Sequence, residues 1–281
     1  MNYKIGLLLA FLSAGSAFSD AVPVLNNLSH IKQVVYAFDF DGVIIEFNVA
    51  YWLQLAKEYY QHALPLFCNR FFIRDVLAAW SARGLYDEAD NKIVGGYQTV
   101  DYLIKKYMPW ATEADRIRIS SAITAVLPKD HMIDYVTSLQ VPYVVWTNND
   151  QVTYNLKVQA INSMREEAGK ALFSPLSVHT VIPTGLPGAT DKSNTKPHAE
   201  YYQRVYTETC TTLGLQHGEL LVIFVDDKKE NVIGAQQAAE LYNLPIKAYH
   251  HWRLWGTGAR LQKLIINDTS WFGMCLKAIN G

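Results

Sequence analysis

Two pairs of acidic residues lie at the ends of apolar segments, where they are suited to chemistry. Asp39 and Asp41 end the segment VVYAFDFD, and Asp226 and Asp227 follow the segment LLVIFV. Grouped carboxylates can supply a nucleophile, a general acid or base, and the oxygen ligands that Mg²⁺ prefers. The alternative is structural, because aspartate is also common in turns and as a helix cap at a solvated strand end.

Two residues that can bind an anion, Thr147 and Lys196, accompany the acids. Thr147 ends the apolar run VPYVVWT and is followed by Asn148, and Lys196 precedes Pro197. A hydroxyl, a carboxamide and an ammonium group can each donate hydrogen bonds to anionic oxygens. Thr147 could instead be a plain turn residue, and Lys192 could take the place of Lys196.

Five short runs of β-branched and aromatic residues predict the strands that position these side chains. The runs lack apolar–polar alternation, which indicates strands of a parallel sheet covered on both faces by helices. The predicted strands are 34–40, 141–147, 178–182, 220–225 and 246–250, and helical periodicity covers 151–168, 197–213 (with Pro197 in the first turn) and 231–242. Ligands bind at the carboxyl ends of such strands, so we expect the acids and the anion-binding residues to lie together.

A long segment between the first two strands predicts an inserted domain. Apolar residues at helical spacing, such as Trp52, Leu55 and Tyr59, indicate that the segment is mostly helical. Its aromatic residues are interpreted as packing, with a stacking surface for ligands as the alternative. The predicted division is an α/β core of 20–47 and 129–281 with a helical cap of 48–128.

The first nineteen residues have the layout of a secretory signal peptide. Lys4 precedes an apolar stretch at 5–14, and the small residues Ala17 and Ser19 suit cleavage before Asp20. A buried N-terminal helix is the alternative. We therefore expect residues 1–19 to be removed and the protein to be exported, periplasmic or secreted, without a membrane anchor.

Composition excludes few functions but argues against a nucleic-acid partner. The chain has 281 residues, 50% of them hydrophobic, and a formal net charge of −1, so no basic surface is expected. The three cysteines, Cys68, Cys210 and Cys275, lack metal-ligand spacing. They could form one disulfide or remain three buried thiols. The oligomeric state is not predicted.

The order of the motifs resembles that of the haloacid-dehalogenase superfamily of phosphotransferases. The four motifs of that family match 39–43 (DFDGV), Thr147, Lys196 and 226–227 (DD), and with the cap the resemblance covers 34–251. It implies a Rossmann-like parallel sheet in three α/β/α layers with a helical cap, of the kind found in exported bacterial phosphatases of this superfamily.

The resemblance also implies roles for the acids. Asp39 would attack phosphorus and form an aspartyl-phosphate, and Asp41 would act as general acid and then as general base. A magnesium ion would be held by Asp39, the backbone carbonyl of Asp41 and Asp227, with Asp226 acting directly or through water.

The remaining motif residues would hold the substrate. Thr147 and Lys196 would bind the phosphoryl oxygens, and Asn148 would add a hydrogen bond.

The predicted function is magnesium-dependent hydrolysis of a small-molecule phosphomonoester. A general acid at Asp41 argues against a dehalogenase, because a departing halide needs no proton. The absence of spanning segments argues against a transport ATPase, and export argues against a sugar phosphomutase. The alternatives kept open are a phosphomutase or other phosphotransferase, and an exported effector or binding protein that has lost catalysis.

Overall fold

The structure is a computed structural model that describes residues 30–80, 85–86, 92–93, 96–139, 141–181 and 195–251. The predicted signal peptide, Lys192, Cys275 and the segment after His251 lie outside the described residues.

The described residues form nine strands and nine α-helices. The strands are β1 (Gln33–Phe38), β2 (Ile45–Phe47), β3 (Leu85–Tyr86), β4 (Lys92–Ile93), β5 (Val126–Pro128), β6 (Tyr143–Asp150), β7 (Val178–Val181), β8 (Leu220–Asp226) and β9 (Ile246–His250). The helices are α1 (Val49–Glu58), α2 (Tyr60–Cys68), α3 (Arg70–Trp80), α4 (Gly96–Tyr107), α5 (Glu113–Ser120), α6 (Asp130–Ser138), α7 (Gln151–Glu167), α8 (Ala199–Leu213) and α9 (Lys229–Leu241).

A five-stranded sheet with the order β7-β6-β1-β8-β9 forms the core. Every neighbouring pair in it is parallel, so the carboxyl ends of all five strands lie at one edge. β1 is the middle strand, between β6 and β8, and β8 is buried along its whole length. The predicted parallel α/β sheet is therefore confirmed.

Two hydrophobic clusters cover the two faces of this sheet. Alternate residues of β1 divide between them: Tyr36 and Phe38 pack with α6 and α7, and Val35 and Ala37 pack with α8 and α9. This division explains why the strand sequences are continuously apolar, since both faces of each strand are covered. The result is the three-layer arrangement that the sequence predicts.

The inserted helices have a small core of their own. β2 and β5 form an antiparallel pair, and the chain between them contains α1 to α5 and the short β3–β4 hairpin. The buried residues of this insertion are Leu55, Ile104, Ala111, Ile119 and Ala122. A mostly helical insertion between the first and second core strands is thus present.

Among the predicted boundaries that differ from the structure, those beside Asp39, Thr147 and Lys196 bear on the carboxyl edge of the sheet. β1 ends at Phe38, because the chain turns back at Phe40, whose carbonyl accepts from the Ile44 N–H at 3.0 Å. β6 does not end at Thr147 but continues to Asp150, past an irregularity in its pairing with β7. α8 begins at Ala199, so Pro197 lies before the helix rather than in its first turn.

Cys68 is exposed and Cys210 is buried, and both are free thiols, so they do not form a disulfide with each other. None of the helices in the described part of the chain has the length and apolar composition of a membrane-spanning segment.

Candidate active site

Asp39 lies directly after the middle strand, at the carboxyl edge of the sheet. Its N–H continues the strand pairing by donating to the Val225 carbonyl at 2.8 Å, and its side chain is buried. The pKa of Asp39 is raised to about 8, mainly because the group is buried; the charge of Lys196 acts to lower this pKa, and the neighbouring carboxylates act to raise it. A carboxylate in this position needs additional positive charge to stay ionised at neutral pH.

Lys196 supplies part of that charge. Its Nζ donates to Asp39 Oδ1 at 2.7 Å, to Asp226 Oδ2 at 2.7 Å and to the Trp146 carbonyl at 3.0 Å. Burial alone would lower the pKa of Lys196, but the charges of Asp226 and Asp39 outweigh it and raise the pKa above its ordinary value. The ammonium is therefore a fixed cation between two motifs that lie on different strands.

The backbone of Lys196 is held by Asn148. Asn148 Oδ1 accepts from the Lys196 N–H at 2.9 Å, and its Nδ2 donates to the Lys196 carbonyl at 3.4 Å. The next residue, Pro197, lies against Gly234 of α9, where a β-carbon would stand 1.9 Å from the Pro197 carbonyl oxygen. Asn148 was predicted to bind the substrate, but its side chain lies on the backbone of the lysine.

Asp226 has both carboxylate oxygens occupied. Oδ1 accepts from the Lys228 N–H at 2.8 Å and from Asn231 Nδ2 at 3.0 Å, and Oδ2 accepts from Asn231 Nδ2 at 3.0 Å as well as from Lys196. Asn231, in the first turn of α9, was missed by the sequence analysis. Asp226 is fully buried and thus holds Lys196 and the start of α9 together.

The side chain of Asp227 lies over the backbone of Gly42, which is part of the turn that follows Asp41. Gly42 has φ +87°, and a β-carbon on it would stand 2.2 Å from Asp227 Oδ2. The backbone carbonyl of Asp227 accepts from His250 Nε2 at 3.0 Å. The motif thus requires glycine at position 42 for two reasons, its left-handed backbone and the space taken by the carboxylate.

The residues fit a divalent cation. Asp39, Asp226 and Asp227 each offer one carboxylate oxygen, and the three oxygens lie within 4.8 Å of one another. Carboxylate oxygens are the ligands that Mg²⁺ prefers. Because Asp226 is already occupied by hydrogen-bond donors, Asp39 and Asp227 are the better candidates for direct ligands.

Asp41 is held by two residues that the sequence analysis missed. Lys157 Nζ donates to Asp41 Oδ1 at 2.7 Å, and Asn149 Nδ2 donates to Asp41 Oδ2 at 2.7 Å. Lys157 lies on α7 between Tyr154 and Ile161, which both face the core. A lysine at a core-facing position of a helix is the signal that could have identified it, since an unpaired buried ammonium is costly.

Thr147 is buried beside this second group. Its Oγ1 accepts from the Asn149 N–H at 3.1 Å and from Asn149 Nδ2 at 2.8 Å, and its carbonyl accepts from the Tyr201 hydroxyl at 3.3 Å. The hydroxyl can still donate its own hydrogen. The structure thus brings the predicted residues into two adjacent groups, one around Lys196 and one around Asp41.

Comparison with solved structures gives matches across most of the chain at low identity. A defluorinating L-2-haloacid dehalogenase is 13% identical, covers 84% of this chain and 86% of that chain, and has a TM-score of 0.50. An L-2-haloacid dehalogenase from Xanthobacter autotrophicus is 16% identical, with coverage of 88% and 87% and a TM-score of 0.47. An enzyme of the HAD family from Bacteroides thetaiotaomicron, in complex with magnesium and inorganic phosphate, is 14% identical. The match covers 79% of this chain and 94% of that chain, with a TM-score of 0.46.

No protein-family model matches the chain, and no curated protein matches it by sequence. The likeness to the first of these structures concerns the fold alone, a parallel sheet between helices. The chain described here has the haloacid-dehalogenase fold.

Proposed function

We propose that this protein is a magnesium-dependent phosphomonoester hydrolase that works through an aspartyl-phosphate on Asp39. The observation that carries the proposal is the position of Lys196, whose ammonium donates hydrogen bonds to both Asp39 and Asp226. One carboxylate oxygen of Asp227 lies within 4.8 Å of one oxygen of each of these two acids. With a divalent cation held by the acids, the fixed ammonium beside it would be suited to a substrate that is itself a dianion.

Asp39 has the geometry of a nucleophile. Lys196 binds one of its oxygens, Oδ1, and among the described residues the other oxygen, Oδ2, accepts no hydrogen bond. Asp39 and Asp227, with the backbone carbonyl of Asp41, would hold a magnesium ion, which supplies the positive charge that lets a carboxylate approach a phosphate dianion. The Asp39 oxygen then forms a bond to phosphorus as the bond from phosphorus to the leaving oxygen breaks.

Asp41 handles the protons of both steps. It gives a proton to the leaving oxygen in the first step and takes one from the attacking water in the second. That water breaks the bond between phosphorus and Asp39, which releases inorganic phosphate and returns the carboxylate. Lys196 and the hydroxyl of Thr147 would hold the phosphoryl oxygens throughout.

Hydrolysis is preferred to the alternatives on chemical grounds. A dehalogenase needs neither a general acid nor a metal ion, whereas Asp41 is held in place by two dedicated donors. A phosphomutase or other phosphotransferase would use the same residues with an acceptor other than water. We retain the proposal that the protein is exported after removal of residues 1–19 and acts on a small-molecule phosphoester.

Release of phosphate from p-nitrophenyl phosphate and from a panel of phosphomonoesters tests the proposal. We expect turnover that needs added Mg²⁺, that stops with EDTA and that falls by about 10³-fold or more in Asp39→Asn. Asp101→Asn, an exposed carboxylate on α4 paired with Lys105, is the matched control and should keep full activity.

Three results would contradict the proposed hydrolase. Metal-independent release of chloride from 2-chloropropionate would indicate a dehalogenase. Product formed without free phosphate would indicate transfer to another acceptor. Phosphoester binding without any turnover, in protein shown to be folded by circular dichroism, would indicate a binding protein.

A further inference from the structure

We propose that Lys157 and Asn149 are positioning residues that hold the Asp41 carboxyl group where, in its protonated form, it can give its proton to the leaving oxygen. The inference rests on the proposed phosphatase function and extends it to two residues outside the four motifs. It is carried by a closed set of three contacts. Lys157 Nζ lies 2.7 Å from Asp41 Oδ1, Asn149 Nδ2 lies 2.7 Å from Asp41 Oδ2, and Lys157 Nζ lies 3.0 Å from Asn149 Oδ1.

The ammonium of Lys157 is enclosed by this set. The Lys157 side chain is 2% exposed, whereas that of Asp41 is 31% exposed. Lys157 Nζ also lies 5.6 Å from the ring centroid of Phe47, at the end of β2. Burying an ammonium costs free energy that an apolar side chain at the same helix position would not cost. A buried cation directed at a partly exposed carboxylate therefore indicates a role in the site rather than in stability.

Lys157 also sets the direction of the Asn149 carboxamide. Asn149 Oδ1 accepts from Lys157, so its Nδ2 faces the other way and donates to Asp41 Oδ2 and, at 2.8 Å, to Thr147 Oγ1. A reversed carboxamide would place its NH₂ against the ammonium and its oxygen against the carboxylate. Lys157 thus orients Asn149, and the two together fix the rotation of the Asp41 side chain.

Such support matters because Asp41 lies in a turn. It follows β1 and precedes Gly42, whose φ is +87°, so the strand does not hold its carboxylate. A general acid must lie within hydrogen-bond distance of the oxygen that it protonates. A displacement of about 1 Å can lower the rate by about 10²-fold. We expect this loss to depend on the leaving group, because an alkoxide needs a proton and dinitrophenolate does not.

The test compares two substrates of opposite leaving-group basicity, n-propyl phosphate and 2,4-dinitrophenyl phosphate, in the presence of Mg²⁺. The measured quantity is kcat/KM, which includes the step in which the leaving group departs. We expect Lys157→Met to lose about thirtyfold or more with propyl phosphate and about threefold or less with dinitrophenyl phosphate. Asn149→Ala should likewise lower the ratio of kcat/KM for propyl phosphate to kcat/KM for dinitrophenyl phosphate. Lys157→Arg, which keeps a cation, should recover part of the loss.

The ratio of the two values within one preparation does not depend on how much of the protein is folded, so a destabilised variant still gives an answer. Lys105→Met, an exposed lysine paired with Asp101 on α4, is the control and should leave the ratio unchanged. Equal losses on both substrates would overturn the inference and leave the proposed function standing. No turnover of either substrate by the unaltered protein would overturn the proposed function, and the inference with it.

Discussion

The backbone of Gly42 lies directly beneath the carboxylate of Asp227, so that a β-carbon at position 42 would stand 2.2 Å from Asp227 Oδ2. The two residues belong to different motifs, one after β1 and the other directly after β8. The turn after Asp39 and the acid that directly follows β8 are therefore packed against each other, with no room for a side chain between them.

Gly42→Ala should consequently damage the site more than the fold. The added methyl group must displace the Asp227 carboxylate, and the φ of +87° adds strain, so we expect a loss of about 10²-fold in kcat/KM and about 1–3 kcal/mol in the free energy of unfolding. Gly169→Ala is the matched control, because Gly169 also has positive φ but no atom within 4 Å of its β-carbon position. That variant should lose stability alone, and full activity in Gly42→Ala would contradict the proposed role of Asp227.

Gly234→Ala should act on Lys196 from a distance. A β-carbon at position 234 would stand 1.9 Å from the carbonyl oxygen of Pro197, so α9 or the Lys196–Pro197 segment must move. We expect kcat to fall by about tenfold or more, because Lys196 would shift from Asp39. Steady-state kinetics on the variant, with Gly214→Ala as a control whose β-carbon position has no close atom, measures this. Unchanged kinetics would show that the packing on Gly234 does not position the lysine.

The raised pKa of Asp39 predicts how stability depends on pH when metal is removed. Its pKa is about 8 in the folded protein against 3.8 as the ordinary value, so the folded protein binds this proton more tightly than the unfolded chain does. The free energy of unfolding should fall as pH rises from about 4 to about 8. Denaturant unfolding in EDTA at several pH values measures the slope.

Asp39→Asn should lack this decline, because an amide has no proton to lose in that range. At about pH 8 in EDTA we expect the variant to exceed the unaltered protein by about 1–3 kcal/mol. Added Mg²⁺ should stabilise the unaltered protein more than the variant. Parallel stability curves for the two proteins would show that Asp39 does not hold the proton.

Tyr154→Phe should leave stability unchanged or raise it by up to about 1 kcal/mol. The Tyr154 hydroxyl is buried beside Phe40 and, among the described residues, has no hydrogen-bond partner, so its removal takes away a desolvated polar group. Tyr202→Phe is the matched contrast, since the Tyr202 hydroxyl donates to the Asn231 carbonyl at 2.6 Å. Losing that bond should cost about 1–2 kcal/mol in thermal or denaturant unfolding. A similar loss in both variants would show that the Tyr154 hydroxyl is bonded.

The sequence by itself determined the sheet and the order of the acids along it. Runs such as VVYAF and LLVIFV are apolar on both faces, and this local property is what a buried parallel strand requires. Because all five strands run in one direction, their carboxyl ends meet, so residues far apart in sequence such as Asp39 and Asp226 could be expected at one edge.

Only the tertiary structure decided what each polar group touches. Lys157 reaches Asp41 across 116 positions of sequence, and Asn148, predicted to bind the substrate, bonds to the backbone of Lys196. Such contacts depend on how α7 and the segment before α8 pack on the sheet. The residue types around a polar side chain can indicate that the side chain is buried, but they do not indicate its hydrogen-bond partner. The partner depends on how the helices and strands pack over the whole fold.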